Sequence, residues 1–228
     1  MYIENYINKN MFNNCNSASN GELSFYNSIK NNIQVIFDVG CRSDSCFLNF
    51  KGEVHYFDPV KQFIDNLKTQ NNSNKASYFN NFGLGEENKS IDYYPKYQSF
   101  FDRIKSCNQS DAQNKITLDI RKGQDYMLEN NIQSIDFLKI DTEGYEMNVL
   151  LGFNDYLNNI KIIQFEYGGT FMDNGVKLID VVNYLEQNGF HKFSYLSPNG
   201  PILIQDFQDH YQYCNIVCVH KHSNLQIP

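Results

Sequence analysis

Short apolar runs alternate with amphipathic segments along most of the chain. The runs are rich in β-branched residues, which is typical of buried strands in a parallel sheet. They predict strands at IQVIFDVG (33–40), EVHYF (53–57), ASYFNNFGLG (76–85), IDFLKID (135–141) and IKIIQFE (160–166). Two further segments are expected to be extended on either side of a polar loop, SIDYYP (90–95) and ITLDI (116–120).

Apolar side chains recur at helical spacing in the segments between these runs. We therefore expect helices over residues 23–29, 60–70, 122–130, 144–152 and 176–189, with a short helix over residues 2–10. Two consecutive strands close the chain, HKFSYLS (191–197) and YCNIVCVH (213–220). Strands and helices that alternate in this way indicate an α/β protein with an open, doubly wound and mostly parallel sheet.

The first twenty residues differ from the rest of the chain. They are polar, rich in Asn and without periodicity, so we expect residues 1–20 to form a flexible arm and residues 21–228 to form one domain. No run approaches the roughly eighteen apolar residues of a membrane span, and the start lacks the basic and apolar regions of a secretory signal. These features predict a soluble, cytoplasmic protein.

The overall charge argues against two classes of partner. Lys and Arg number 19 against 26 Asp and Glu, which gives a formal net charge of −7. A protein whose main task is to bind nucleic acid carries a basic face, so nucleic acid and anionic membranes are not expected as partners. The six cysteines include no CxxC pair and no zinc-type spacing with histidine, which is typical of reduced thiols.

The loop after the first predicted strand limits the choice of ligand. A doubly wound sheet binds its ligand beyond the carboxyl ends of the central strands, and here that loop reads DVGCRSDS (38–45). A dinucleotide site needs GxGxxG so that the backbone can approach a pyrophosphate. Only Gly40 is present, and Asp44 would repel an anion. The loop therefore favours a positively charged ligand with ribose hydroxyls and no phosphate, such as S-adenosylmethionine.

The second predicted strand ends at Asp58, twenty residues after Asp38. An acidic side chain at this distance is typical of one that binds a ribose diol. Alternatively, Asp58 and Pro59 only begin the next helix, because Asp is a common N-cap and Pro favours the first turn. Since Asp58 lies twenty residues beyond the acidic-x-Gly end of the first predicted strand, we predict that it binds the ribose.

Five motifs stand at or near the ends of the predicted strands: FDVG (37–40), HYFDP (55–59), NFGLG (81–85), ITLD (116–119) and IDFLKIDTEGYEMNVLLGF (135–153). Together they resemble the FkbM-type S-adenosylmethionine-dependent methyltransferases, and the last is similar to the family signature LKIDxEGxExxxLxG. The resemblance covers about residues 33–167. It implies the class I methyltransferase fold, a Rossmann-like, seven-stranded sheet whose last two strands form the antiparallel end.

The resemblance also implies where the cofactor S-adenosylmethionine binds. The residues expected to bind it are Asp38 and Gly40 at the methionine half, Cys41 in the same loop, Asp58 at the ribose, and Gly83 and Leu84 near the adenine. The chain departs from the family pattern at two positions. Asp44 stands where the first loop usually has a second glycine, and Asp58 replaces a Glu, which keeps the carboxylate but shortens its reach.

Carboxylates are grouped after the fourth strand, where the sequence reads KIDTEGYE (139–146). Methyl transfer to oxygen requires that the enzyme align donor and acceptor and remove the acceptor's proton. Asp141 and Glu143 are therefore candidate catalytic residues, together with Glu166 at the end of the fifth strand. These groups could also bind a divalent metal, although no ligand spacing supports one.

The charged residues of this segment can also be explained by structural roles. Glu143 and Glu146 suit a helix N-terminus, where negative charge is favourable, and Glu146 is expected mainly to cap the helix. Lys139 shares a strand face with Asp141 and could hold the turn through a salt bridge. His210 is the histidine most suited to catalysis, in the stretch DFQDHYQY (206–213).

The resemblance implies O-methylation of a hydroxyl on a small molecule or a carbohydrate. Five aromatic residues after the third strand could form a lid that stacks on a sugar, or could belong to the core or a hairpin: Tyr93, Tyr94, Tyr97, Phe100 and Phe101. Two other functions remain open, a non-catalytic binding protein with this fold and a nicotinamide-dependent oxidoreductase. The oligomeric state and the acceptor are left open.

Overall fold

The structure is a computed structural model that describes residues 12–71 and 76–225. Its strands are β1 (Val35–Val39), β2 (Glu53–Phe57), β3 (Ser77–Asn80), β4 (Gly83–Leu84), β5 (Lys89–Tyr93), β6 (Ile116–Arg121), β7 (Ile135–Ile140), β8 (Ile160–Tyr167), β9 (Phe190–Tyr195), β10 (Ile202–Leu203) and β11 (Cys214–His220). Its helices are α1 (Glu22–Ile29), α2 (Lys61–Gln70), α3 (Ile104–Cys107), α4 (Gly123–Glu129), α5 (Glu146–Leu151), a 3₁₀ helix (Asn154–Asn159), α6 (Thr170–Asn174) and α7 (Leu178–Gln187). The helices predicted from the sequence match these closely, except that residues 2–10 lie outside the described residues.

The central sheet has the strand order β10-β9-β11-β8-β7-β1-β2-β3. Pairing is parallel from β3 through β2, β1 and β7 to β8, whereas β11 runs antiparallel to both β8 and β9. This confirms the doubly wound, mostly parallel α/β fold with an antiparallel C-terminal end, the class I methyltransferase arrangement. The sheet contains eight strands rather than seven in the described residues, because the two-residue strand β10 pairs with the edge of β9.

The two faces of the sheet bury separate apolar clusters. Along β1, Phe37 and Val39 belong to one cluster, while Ile36 belongs to the other, as the alternation of side chains along a strand requires. Phe37 is fully buried and lies 5.2 Å from the ring of Phe57, centroid to centroid. Because β1 is covered on both faces, it reads as the continuous apolar run that predicted it.

One predicted strand is divided between two sheets. The run 76–85 was expected to form a single strand, but it forms β3 in the central sheet and β4 in a second sheet of order β4-β6-β5. The break falls at Asn81 and Phe82, where the chain leaves the edge of the central sheet. The two predicted extended segments that flank the polar loop become β5 and β6 of the small sheet and pair antiparallel.

Residues 12–20 contact the rest of the molecule. The amide of Asn13 donates to the carbonyl of Tyr213 at 2.8 Å, and the Phe12 ring lies 5.2 Å from that of Tyr195. Asn20 is 3% exposed and donates a hydrogen bond to the Glu22 side chain at 2.7 Å. This part of the predicted arm therefore packs beside β9 and β11. The boundary at residue 21 stays a prediction. In the described part of the chain, no helix has the length and apolarity that crossing a membrane would require.

Candidate active site

A cavity of about 410 Å³ opens at the carboxyl ends of β1 and β7. These strands are parallel neighbours, so the loops that follow them meet at the edge where doubly wound sheets bind ligands. Acidic side chains outnumber basic ones around it, which suits a positively charged ligand. The acidic residues are Glu22, Asp38, Asp44, Asp141, Glu143 and Glu166, and the basic ones are Arg42, Arg103 and Lys139.

Gly40 brings the two loops into direct contact. Its φ of +78° lies in the left-handed region, and a Cβ at this position would stand 1.9 Å from the carbonyl oxygen of Asp141. The Gly40 amide donates to the carbonyl of Phe57, and the Asp141 amide donates to the carbonyl of Val39, both at 2.9 Å. Glycine is required here for conformation and for space.

Asp38 borders the cavity with one carboxylate oxygen unpaired. Oδ2 accepts a hydrogen bond from the Ser45 hydroxyl at 2.5 Å, whereas the buried Oδ1 has no partner among the residues that the structure describes. Burial raises the pKa of Asp38 to about 6, and the charge of Lys139 opposes that rise. An unpaired buried polar atom is costly unless a ligand supplies a partner. Asp38 is therefore suited to accept a hydrogen bond from a bound group.

Cys41 also borders this cavity, but most of its side chain is buried. It is 4% exposed and packs in the apolar cluster that includes Phe47 and Tyr56. Burial raises the pKa of the thiol well above its ordinary value, so the neutral form is favoured. The residue contributes to packing beneath the first loop, and its contact with a cofactor stays a prediction.

Asp58 joins the ends of β1 and β2. Its Oδ1 accepts from the Val60 amide at 2.8 Å, at the start of α2, and its Oδ2 accepts from the Arg42 amide at 3.1 Å. Burial raises the pKa of Asp58 to about 6, while the hydrogen bonds from these two amides oppose the rise. Asp58 therefore does have the structural role considered as the alternative, at the start of α2. A ribose role remains compatible, since each carboxylate oxygen can accept two hydrogen bonds.

A second, mostly apolar compartment adjoins the cavity and shares Gly40 and Asp141 with it. Asp58 stands at its polar side. The other lining residues include Pro59, Phe63, Gly83, Leu84, Tyr93 and Phe100. The predicted adenine residues are thus brought together with the predicted ribose residue, and two of the five aromatic residues considered for a lid form part of the wall.

Lys139 and Asp141 occupy the end of β7 inside the cavity. Lys139 Nζ donates to Asp141 Oδ2 at 3.0 Å, and the side chains are 13% and 27% exposed. Burial disfavours the ammonium, but the negative charges of Asp141, Asp38 and Glu22 outweigh it and raise the pKa of Lys139 well above its ordinary value. The predicted salt bridge is present, and it leaves Asp141 accessible from the cavity.

Glu143 borders both compartments and has an unusual backbone conformation. Its φ of +52° is in the left-handed region, which is uncommon for a residue other than glycine. The Glu143 carboxylate lies 3.8 Å from Nη1 of Arg103. Burial and the negative charge of Asp141 raise the pKa of Glu143, and the two nearby guanidinium groups of Arg103 and Arg42 oppose the rise.

Glu146 is fully buried at the first turn of α5. Its Oε1 accepts hydrogen bonds from the Thr142 amide at 2.9 Å, the Thr142 hydroxyl at 3.0 Å and the Gly144 amide at 3.3 Å. Burial raises the pKa of Glu146 to about 7, against these hydrogen bonds. Glu146 therefore holds the loop in front of the helix rather than lining the cavity.

Glu166 borders the cavity at the end of β8 and is 8% exposed. Burial raises its pKa well above the ordinary value, and the charges of Asp141, Glu143 and Glu146 raise it further. The neutral, protonated carboxyl is therefore favoured, which can donate one hydrogen bond. The predicted catalytic residues Asp141, Glu143 and Glu166 thus share one cavity in different environments.

Histidines and metal ligands contribute little to this site. His210 hydrogen-bonds the Tyr195 hydroxyl at 3.1 Å and packs on Phe12, away from the residues that border the cavity. Across residues 12–71 and 76–225, no group of three or more histidine, cysteine or carboxylate side chains is arranged to hold a metal ion.

Several residues around the cavity carry no sequence signal that would have revealed them. Cys15 and Ser17 come from the polar N-terminal segment, and Tyr213 precedes β11. Arg103 comes from the loop before the short helix α3. Each reaches the site through long-range folding, so its place could not be read from local pattern or spacing.

The FkbM methyltransferase domain matches residues 38–192, about two thirds of the 228-residue chain. The chain therefore belongs to the FkbM methyltransferase family. This confirms the resemblance found from the sequence motifs and, with it, S-adenosylmethionine as the cofactor.

The chain is also similar in fold to solved methyltransferase structures of low sequence identity. SMU.1697c from Streptococcus mutans, solved with S-adenosylhomocysteine (SAH), has a TM-score of 0.49 and 11% identity, covering 87% of this chain and 96% of that one. An rRNA methylase from Streptococcus thermophilus has a TM-score of 0.48 and 9% identity, covering 87% and 95%. TrmK from M. capricolum has a TM-score of 0.46 and 11% identity, covering 88% and 70%. No curated protein matches the chain.

Proposed function

We propose that the protein transfers the methyl group of S-adenosylmethionine to a hydroxyl oxygen of a small molecule or a glycan. The observation that carries the proposal is that Asp38, Gly40 and Asp141 meet at one cavity between the ends of β1 and β7. Membership of the family supports methyl transfer. The carboxylates beside this cavity support an oxygen acceptor, because a hydroxyl has to lose a proton during the reaction.

The residues present fit S-adenosylmethionine. Its ammonium group needs an acceptor, and the buried Oδ1 of Asp38 is unpaired within the described part of the chain. The two hydroxyls of its ribose suit Asp58, and its adenine suits the apolar compartment beside Gly83 and Leu84. When bound there, S-adenosylmethionine supplies an electrophilic methyl group on a positively charged sulfur. The excess of carboxylates around the cavity complements that charge.

Asp141 is the group proposed to accept the hydroxyl proton or to orient the acceptor. Lys139 binds its Oδ2, which fixes the direction of the carboxylate at the end of β7. A positioned carboxylate of this kind raises the rate both by proton transfer and by alignment. Glu143 is the alternative base, although burial and the charge of Asp141 favour its protonated form.

Glu166 is proposed to orient the acceptor by donating a hydrogen bond. Its raised pKa favours the protonated carboxyl, which can donate to an acceptor oxygen. Tyr213 borders the same cavity, and its hydroxyl accepts a hydrogen bond from Asn215 at 3.3 Å. Several polar groups around one cavity suit an acceptor with more than one hydroxyl, such as a sugar.

Calorimetric titration followed by a transfer assay tests the proposal. We expect S-adenosylmethionine and S-adenosylhomocysteine to bind and NADH not to bind, because the first loop lacks the glycines that a pyrophosphate requires. A screen with radiolabelled methyl donor, beginning with glycans, should then label an acceptor. Binding of NADH would instead favour the oxidoreductase. Binding of none of the three would favour the non-catalytic protein, and either result would contradict the proposal.

A further inference from the structure

The Asp141 loop, residues 141–145 between β7 and α5, carries two of the three candidate catalytic carboxylates, Asp141 and Glu143, in a strained conformation. Glu143 and Gly144 have φ values of +52° and +101° in succession. The left-handed region is unfavourable for a residue other than glycine, so such a conformation persists only where the surroundings hold it. Glu146 holds the amides of Thr142 and Gly144 from within the family motif.

Two carbonyl groups of the Asp141 loop are held from outside that motif. The Asn174 side chain, at the end of α6, donates through Nδ2 to the carbonyl of Gly144 at 3.0 Å. The Ser99 hydroxyl, from the loop between β5 and α3, donates to the carbonyl of Glu143 at 2.7 Å. Ser99 is 1% exposed and also accepts from the Phe101 amide at 3.0 Å, so its position is fixed.

Helix α6 also fixes the partner of the Glu143 side chain. Asp173, next to Asn174, accepts from the amides of Lys105 and Ser106 at 2.9 Å and 3.1 Å, at the start of α3. Arg103, immediately before α3, lies 3.8 Å from the Glu143 carboxylate. Helix α6 therefore restrains both the Gly144 carbonyl, directly after Glu143, and the start of α3, next to Arg103.

We infer that Asn174 and Ser99 are positioning residues that hold the Asp141 loop in the conformation required for methyl transfer. Neither belongs to the lining of the cavity as the described residues define it, so neither is expected to bind the cofactor. Their effect reaches the reaction through the carbonyls of Glu143 and Gly144. The inference rests on the proposed function for its catalytic consequence, whereas the restraint on the loop is independent of it.

Asn174→Asp is the decisive variant, because it preserves the shape of the side chain and removes the donor. Asn148→Ala is the matched control. It removes the other partner of Asn174, Asn148 Oδ1 at 3.0 Å, and leaves the bond to Gly144 possible. Ser99→Ala tests the second contact. Amide hydrogen exchange of residues 141–145 is measured first, since it needs neither the cofactor nor the acceptor.

We expect exchange in the Asp141 loop to become about tenfold or more faster in Asn174→Asp and Ser99→Ala and to stay unchanged in Asn148→Ala. In the transfer assay, kcat should fall about ten- to a hundredfold in the first two variants, because small displacements of reacting groups are costly. The dissociation constant for S-adenosylmethionine should stay within about twofold, which separates positioning from binding or unfolding.

Unchanged exchange and unchanged kcat in both Asn174→Asp and Ser99→Ala would overturn the inference. An equal loss in Asn148→Ala would also overturn it, because the bond to Gly144 would then not be responsible. Failure of the wild-type chain to bind S-adenosylmethionine would instead contradict the proposed function. The exchange result would still decide whether these side chains hold the loop.

Discussion

Lys139 and Asp141 form an ion pair at the end of β7, with Nζ and Oδ2 separated by 3.0 Å inside the cavity. The two residues stand on the same side of the strand, next to Asp38, which is the register partner of Lys139 on β1. One mostly buried cation therefore neighbours both the carboxylate proposed to bind the cofactor and the carboxylate proposed to act on the acceptor. This arrangement favours a defined orientation for Asp141, since a charge-assisted hydrogen bond is directional and strong.

Asp141→Asn should reduce turnover far more than cofactor binding. The amide keeps the shape of the side chain but cannot accept a proton, and loss of a general base typically costs about 10²- to 10⁴-fold in rate. Steady-state assays and calorimetry with S-adenosylmethionine measure the two effects separately. Asp65→Asn, on the exposed side of α2, is the control for the loss of one carboxylate. Equal turnover in wild type and Asp141→Asn would exclude Asp141 as base or orienting group.

Glu166→Gln should retain most activity, in contrast to Asp141→Asn. Burial and three neighbouring carboxylates favour the neutral form of Glu166, and glutamine imitates a neutral carboxyl that donates a hydrogen bond. Glu166→Leu, which cannot donate, should lower kcat/KM. The three proteins are compared at neutral pH. A loss in Glu166→Gln as large as that in Asp141→Asn would show that Glu166 acts in its ionised form.

Asp58→Ala should weaken cofactor binding about ten- to a hundredfold, since a hydrogen bond to a charged group contributes about 1.5–3 kcal/mol. It should also lower the melting temperature, because the amides of Val60 and Arg42 lose their acceptor. Calorimetry and thermal unfolding separate the two roles. A lower melting temperature with unchanged affinity would leave Asp58 only its structural role at the start of α2.

Gly40→Ala should destabilise the protein more than Gly200→Ala. Both glycines have positive φ, +78° and +110°, so alanine brings a similar backbone penalty at either position. A Cβ at Gly40 meets the Asp141 carbonyl at 1.9 Å, whereas one at Gly200 meets no described atom within 4 Å. The additional cost at Gly40 should reach about 1–3 kcal/mol in denaturant unfolding. Equal losses would mean that the two loops are not in close contact.

Ionisation of Asp38 should lower the stability of the cofactor-free protein as pH rises. Burial raises the pKa of Asp38 in the folded state to about 6. The charge of Lys139 opposes this rise, and the charges of Asp141 and Glu22 add to it. In the unfolded chain the pKa of Asp38 is about 3.9. Between these values the folded state binds more protons. The stabilising contribution of Asp38 is therefore complete below its pKa in the unfolded chain and is lost as pH rises through about 6.

Denaturant unfolding of the wild type and Asp38→Asn measures this contribution. From about pH 4 to about pH 7, the wild type should lose about 2–3 kcal/mol relative to the variant, in which position 38 does not titrate. A difference between the two proteins that stays constant with pH would show that Asp38 is not desolvated in the folded state.

The central strands could be predicted from the sequence because each is buried on both faces. Fully buried strands read as continuous apolar runs, so Val35–Val39 and Ile135–Ile140 were visible from composition alone. The small sheet was less visible. Strand β6 was expected as an extended segment, but it is mostly exposed and β4 has two residues, so no apolar pattern indicated that the two pair in a separate sheet.

Residues of the candidate site could be predicted where the backbone conformation requires a particular residue type. Gly40 and Gly144 have positive φ and lie in the family motifs. Asp38, Asp58 and Asp141 also lie in these motifs. Residues outside these motifs carry no local sequence signal that indicates a place near the site. Tertiary contacts alone bring Arg103 and Tyr213 to the cavity and Asn174 to the Asp141 loop, and spacing along the chain does not encode such contacts.

A crystal structure of the complex with S-adenosylhomocysteine would show directly whether the cofactor binds where β1 and β7 end. We expect the amino group of the ligand to approach Asp38, its ribose to lie beside Asp58 and its adenine to occupy the compartment formed with Leu84. A ligand bound elsewhere on the molecule, with Asp38 and Asp58 remote from it, would show that these residues do not form the cofactor site.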